Sequence, residues 1–197
     1  KANCFEKIIE WEMPAIGEHW IHNSLSIIAA GIYYDLDMNS ILAGLRSFKL
    51  PLGRGNIIKL SITGNSFWVI DDSYNSNPAS LSAALKRLAE ISNKGRKIVV
   101  LGDMLELGEK SLDFHKSFKM QIETGQINVL FTTGQYMKEL YKIIDNDFKK
   151  YHDDNLDSLI IKLKALIEKD DVVLIKGSNS MNLKKIIKNI INEGTII

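Results

Sequence analysis

Phe67–Pro78 reads "FWVIDDSYNSNP", a short apolar strand that stops at an overloaded polar corner. Four apolar residues in succession suit a strand covered on both faces, as in a parallel sheet, better than a half-solvated one. Pro78 fits the first turn of a following helix, where its missing N–H would have no intrahelical partner, and Asn77 fits the N-cap. Those two residues are thereby explained. Asp71, Asp72, Tyr74 and Asn75 together are not. A carboxylate at a strand end can accept hydrogen bonds from a ribose diol or hold magnesium through water. On the residues alone, ligand contact and an elaborate cap both stay open.

Working upstream, "NIIKLSI" (56–62) and "FWVID" are joined by "TGNS", a hairpin signal. Before them, "KLPLGRGN" (49–56) carries Pro51, Gly53 and Gly55 and breaks the pattern, so a domain boundary is expected between 1–49 and 50–197. In the first part, "FEKIIEWEM" (5–13) alternates like a strand. "IHNSLSIIAAGIYYDL" (21–36) and "MNSILAGLRSF" (38–48) have helical spacing, with Asp37 as N-cap of the second.

Downstream, helices and short apolar strands alternate. Helices are expected over 78–92, 110–123, 136–144, 156–168 and 180–191, and strands over 97–103, 127–134, 150–152 and 171–177. This rhythm indicates an α/β fold: a mostly parallel sheet with helices on both faces, an antiparallel edge hairpin, and a small strand-plus-helices piece before it.

Composition narrows the class. Among 197 residues, Lys and Arg number 25 against 24 Asp and Glu, so nothing draws the chain as a whole toward nucleic acid or an anionic membrane. A single cysteine, Cys4, excludes an internal disulfide framework and suits a reducing compartment. No apolar run approaches the ~20 residues that span a bilayer, and "KANCFEKIIEWEMP" has no signal-peptide pattern. It begins without methionine and inside strand-like sequence, as expected of a piece of a longer chain.

Four strand ends carry polar clusters, "DDSYNSNP", "GDMLELGE", "TTGQ" and "KGSNSMN", and ligands in open α/β sheets collect beyond those ends. In "GDMLELGE", Asp103 stands at a strand end, and Glu106 and Glu109 near the start of the next helix also suit its dipole. Lys176 and Ser178, before the last helix, make an anion or carboxylate site. The phosphate-loop pattern GxxxxGK[ST] and the GxSxG elbow do not occur. His19, His22, His115 and His152 are scattered without metal-site spacing, so no metal site is expected.

"GEHWIHNSLSIIAAG", "GRG", "IDDSYNSNPASLSAALKRL", "VLGDMLELGEKS" and "VLIKGSNSMNLKKII" occur in this order and cover essentially the whole chain. Together they resemble the C-terminal part of the Mur ligases, within them the branch that adds D-alanyl-D-alanine to UDP-N-acetylmuramoyl-tripeptide. The resemblance implies that 1–49 is the end of a central ATP-binding domain and 50–197 a Rossmann-like C-terminal domain. It implies a monomeric, cytoplasmic enzyme of peptidoglycan synthesis, using ATP and Mg2+ and an acyl phosphate, with no membrane insertion. The phosphate loop, magnesium ligands and main catalytic groups would lie outside this chain, which alone would be inactive.

By matching position, Asn23 corresponds to an adenine contact, with His19 before it. Arg54 corresponds to an arginine that meets the nucleotide, and Asp72 to a ribose contact; these two would engage ATP only on domain closure. Tyr74, Asn75, Asn77, Thr133, Lys176, Ser178 and Asn179 lie where the incoming amino substrate binds in relatives. Asn179 stands where an arginine often follows "KGS", leaving Lys176 or a residue from elsewhere to hold the dipeptide carboxylate. Two other readings stay open: a non-catalytic nucleotide-binding or interaction module, and a sister ligase with another amino substrate.

Overall fold

The computed structural model describes residues 1–4, 7–14, 18–62 and 64–197, with the side chains of Lys7, Glu18 and His19 also outside the description. The chain forms two compact units, Lys1–Pro51 and Leu52–Ile197, dividing inside the Pro/Gly segment.

In the first unit, β1 (Ala2–Cys4) and β2 (Lys7–Ile9) form an antiparallel pair, with Ala2 opposite Ile9. The strand expected over 5–13 is therefore shorter. Residues 5 and 6 lie outside the described residues, and 10–13 leave the ladder because β1 offers no partner beyond Ala2. Trp11 instead donates its indole N–H to Ser24 Oγ at 2.9 Å. Helix α1 (Glu18–Tyr33) buries Ser24 and Ile28 while Ile21, Ile27 and Tyr33 stay exposed. Its apolar residues are not confined to one stripe. Helix α2 (Met38–Arg46) begins as expected at Asp37, whose carboxylate accepts from the Asn39 and Ser40 N–H groups.

The second unit is built on a seven-stranded sheet. Its strands are β3 (Asn56–Ile62), β4 (Asn65–Asp72), β5 (Lys97–Gly102), β6 (Val129–Thr133), β7 (Lys150–His152), β8 (Val172–Lys176) and β9 (Thr195–Ile196). They lie in the order β7-β6-β5-β8-β4-β3-β9. The five from β7 to β4 pair in parallel, and β3 pairs antiparallel with both β4 and β9.

The hairpin is thus not the edge of the sheet. A two-residue strand covers it, too short to announce itself by alternation. Thr63, in the expected turn, lies outside the described residues.

Successive residues of each central strand face opposite layers. Val69, Ile98, Val100, Phe131, Val173 and Ile175 pack with α7 (Leu156–Leu166) and α8 (Lys184–Glu193). Ile70, Val99, Leu101, Leu130, Val172 and Leu174 pack with α3 (Pro78–Glu90), α5 (Lys119–Thr124) and α6 (Gln135–Ile143). The chain leaves β4, β5 and β6 toward one face and β8 toward the other. β8 sits between β4 and β5, so the topological switch lies on both of its sides.

Two expected helices are interrupted. The stretch 110–123 becomes a 3-10 turn, Gly108–Lys110, then α4 (Ser111–Lys116) and α5. Ser117 Oγ donates back to the Phe114 carbonyl, a competing local bond at the break. Before α8, Asn179–Met181 form another 3-10 turn, closed by Asn182 in the left-handed conformation (φ 54°).

Candidate functional site: the polar rim at the β4, β8 and β5 ends

Asp72 and Lys176 end adjacent parallel strands and are register partners. Their side chains meet across the switch point. Lys176 Nζ donates to Asp72 Oδ2 at 2.8 Å and to the Asn75 carbonyl at 2.9 Å. The lysine side chain is 2% exposed and that of Asp72 25%. A buried ammonium is costly to desolvate, and here a carboxylate and a carbonyl compensate it.

Asp71 plays a different part. Buried beside its neighbour, it accepts from Ser73 N–H at 3.2 Å and Ser73 Oγ at 2.6 Å, closing a tight turn. Asn77 and Ser80 form a reciprocal capping box at the start of α3, with Pro78 in the first turn. The adjacent carboxylates are therefore divided: one shapes the loop and the other faces the rim.

The glycine-flanked segment at the head of the unit is stitched to this loop. Gly53 C=O accepts from Tyr74 N–H at 3.1 Å, and Gly55 N–H donates to Asp71 C=O at 2.8 Å. Gly53 has φ 81°, and a Cβ there would stand 3.0 Å from Tyr74 Cβ and N, so glycine is required for the approach. Between the two glycines, the exposed Arg54 lays its guanidinium 4.2 Å from the centre of the Tyr74 ring. That stacking orients a side chain that would otherwise sample many rotamers.

The third strand end, at β5, is consumed by architecture. Asp103, buried, accepts from Met137 N–H at 2.7 Å and Tyr136 N–H at 3.2 Å, and so caps α6 from another strand. Its own carbonyl accepts from Ser178 N–H, and Ser178 Oγ accepts from Leu105 N–H at 2.8 Å. His115, fully buried, accepts Met104 N–H on Nε2 at 2.9 Å and donates from Nδ1 to Ser111 C=O at 2.6 Å. Burial holds its pKa below the ordinary 6.5, against the raising influence of Ser111 and of Asp103, 4.0 Å away.

The structure thus brings Arg54, Asp72, Tyr74, Asn75, Asn77, Lys176 and Ser178 onto one loop cluster. Tyr74, Asn75, Asn77 and Asn179 are exposed, whereas Thr133, Ser178 and Lys176 are buried. Asn23 is exposed on α1 in the first unit, and the side chain of His19 lies outside the described residues. Sequence reading missed His115 as the residue that fastens the loop after β5. It also missed His152, which meets Thr132 Oγ1 at 3.0 Å. Both pairings come from chain segments that spacing does not connect.

A depression of about 400 Å3, lined by Trp68, Ser92, Asn93, Lys94, Lys169 and Asp170, opens at the opposite end of the strands. It gathers none of the expected site residues. Among the described residues, no three His, Cys, Asp or Glu side chains are arranged to hold a metal ion, and no helix is long and apolar enough to cross a membrane.

A mostly parallel sheet with helices on both faces and a switch point beside its one inserted strand defines a doubly wound α/β domain, the class in which ligands collect beyond the strand ends. The family is identified by comparison: residues 53–179, more than half of the chain, match the Mur ligase, glutamate ligase domain, and the chain belongs to the Mur ligase family. Among curated relatives, the UDP-N-acetylmuramoyl-tripeptide--D-alanyl-D-alanine ligase of Bacillus subtilis is 32% identical over 91% of this chain and 39% of its own length. The ligase of the same name from Buchnera aphidicola is 35% identical over 92% of this chain and 38% of its own. The chain therefore spans about two fifths of these relatives. MurF of Acinetobacter baumannii has the same fold (TM-score 0.75, 23% identity, 92% of this chain and 40% of that one).

Proposed function

We propose that the full-length protein containing this chain is an ATP-dependent amide ligase that joins D-alanyl-D-alanine to UDP-N-acetylmuramoyl-tripeptide in peptidoglycan synthesis. One observation carries the reading: relatives 30–35% identical over about nine tenths of the chain bear that one name. Residues 1–49 are then the end of the ATP-binding domain and 50–197 the C-terminal domain, of a monomeric cytoplasmic enzyme not inserted in a membrane.

The rim chemistry supports a nucleotide contact. Arg54 offers an exposed planar cation whose orientation Tyr74 limits, suited to an anionic or aromatic part of a nucleotide. Asp72 engages Lys176 through Oδ2, leaving Oδ1 to accept from a ribose hydroxyl. Asn23, with His19 before it, serves the adenine in this reading. Tyr74, Asn75, Asn77, Thr133, Ser178 and Asn179 are assigned in this reading to the incoming dipeptide, Thr133 and Ser178 being buried. ATP supplies the phosphoryl group that activates the tripeptide carboxylate, and Mg2+ accompanies it, held by residues outside this chain. What this chain's own residues contribute is orientation and exclusion of water before the dipeptide amine attacks.

The test is phosphate release by the full-length enzyme with ATP, Mg2+ and the UDP-linked tripeptide, comparing D-alanyl-D-alanine with single amino acids. Turnover is expected with the dipeptide alone, and none from the 197-residue chain by itself. Preference for a single amino acid would make it a sister ligase, and no turnover with any acceptor would make it a binding module.

A further inference from the structure

We infer that Lys176 is a positioning residue for the nucleotide contact rather than the group that holds the dipeptide carboxylate. The inference rests on the reading of Asp72 as a ribose contact. Three observations carry it. The ammonium is enclosed, at 2% exposure, so an incoming carboxylate could reach it only by displacing what already surrounds it. Its hydrogen bonds go to Asp72 Oδ2 and the Asn75 carbonyl, so a substrate carboxylate would compete with an existing buried ion pair. Its backbone is fixed by the central strand β8, flanked by β4 and β5, so the nitrogen is delivered from the most rigid part of the sheet.

The geometry has a chemical consequence. Asp72 can rotate about its side-chain torsions, and a carboxylate that must meet a diol benefits from being held before the ligand arrives. Lys176 clamps one oxygen, which leaves the other as the acceptor. By taking the Asn75 carbonyl as well, the same nitrogen fixes the loop between the ribose contact and the start of α3. Substrate-facing work on this loop is left to the exposed Tyr74 and Asn75 side chains and to Asn179.

The experiment uses steady-state kinetics of the full-length ligase for Lys176→Met, Lys176→Gln, Asp72→Ala and Lys176→Met/Asp72→Ala. Lys176→Met is expected to raise KM for ATP about tenfold, with kcat and KM for D-alanyl-D-alanine moving less than about twofold. Asp72→Ala should raise KM for ATP similarly, and adding Lys176→Met to it should change little further, because the lysine acts through the carboxylate. Lys176→Gln, which keeps a donor for Asn75 but loses the charge, should behave like Lys176→Met toward ATP and guards against a misfolded methionine variant. A rise in the dipeptide KM with the ATP KM unmoved would overturn the inference, as would independent, additive effects in the double variant. If Asp72→Ala left the ATP KM unchanged, the ribose reading itself would fall, and the inference with it.

Discussion

His115 shows how one buried side chain ties chemistry to stability. Its ring is neutral where it sits, because Nε2 must accept from Met104 N–H while Nδ1 donates to Ser111 C=O. A proton on Nε2 would convert that acceptor into a second donor facing an N–H. Since burial holds the folded pKa below 6.5, the unfolded chain takes up a proton that the fold refuses once the pH drops below 6.5. Stability is therefore complete above that value and declines as the pH falls from it toward the folded pKa. Urea unfolding midpoints measured from about pH 7.5 down to about pH 5.5 should fall for the natural chain. His115→Gln should start about 1–3 kcal/mol lower, from unmade buried hydrogen bonds, and lose less over the same range. An equal acid slope in both would mean that another group carries it.

At the scale of elements, the two ends of "DDSYNSNP" behave differently. Its exit is local: Asn77, Pro78 and Ser80 make a capping box within four positions, which is why the start of α3 could be read from the sequence. Asn77→Ala should cost about 1 kcal/mol in thermal or urea unfolding, the usual worth of such a cap. A change well under that would mean water replaces the cap without loss. The entrance is not local. The Lys176 that holds Asp72 lies 104 positions away, and Asp103, expected at a strand end, caps α6 some 34 positions on. Residue types at strand ends marked a candidate site; which side chains line the rim and which are consumed as caps depended on strand neighbours. The broken helices at Ser117 and Asn182 escaped for a similar reason, since the periodic apolar pattern continues through them.

For the molecule as a whole, alternating short apolar strands and amphipathic helices were enough to recognise a parallel sheet covered on both faces. The strand order was not legible, because alternation does not say that the last crossover returns to insert β8 between β5 and β4. Yet that insertion sets Lys176 beside Asp72 and creates the switch point. The second unit has a buried cluster on each face of its own sheet. Residues 52–197, expressed alone, should therefore unfold in a single cooperative transition with coincident fluorescence and circular-dichroism curves. Two separated transitions, or none, would show that this unit depends on residues before it.

The terminal strand β9 has a meaning beyond topology. Thr195 and Ile196 pair with Ser61 and Leu60, and Ile197 N–H reaches the Lys59 carbonyl. An uncovered strand edge is an invitation to a neighbouring copy, and proteins that leave one flat and unguarded tend to aggregate. Three exposed residues at the end of this chain blunt the outer edge of β3 at its middle. Trimming Thr195–Ile197 should therefore leave more of β3 unpaired and raise self-association, read by light scattering, while the polar rim at the β4 and β8 ends stays as it is.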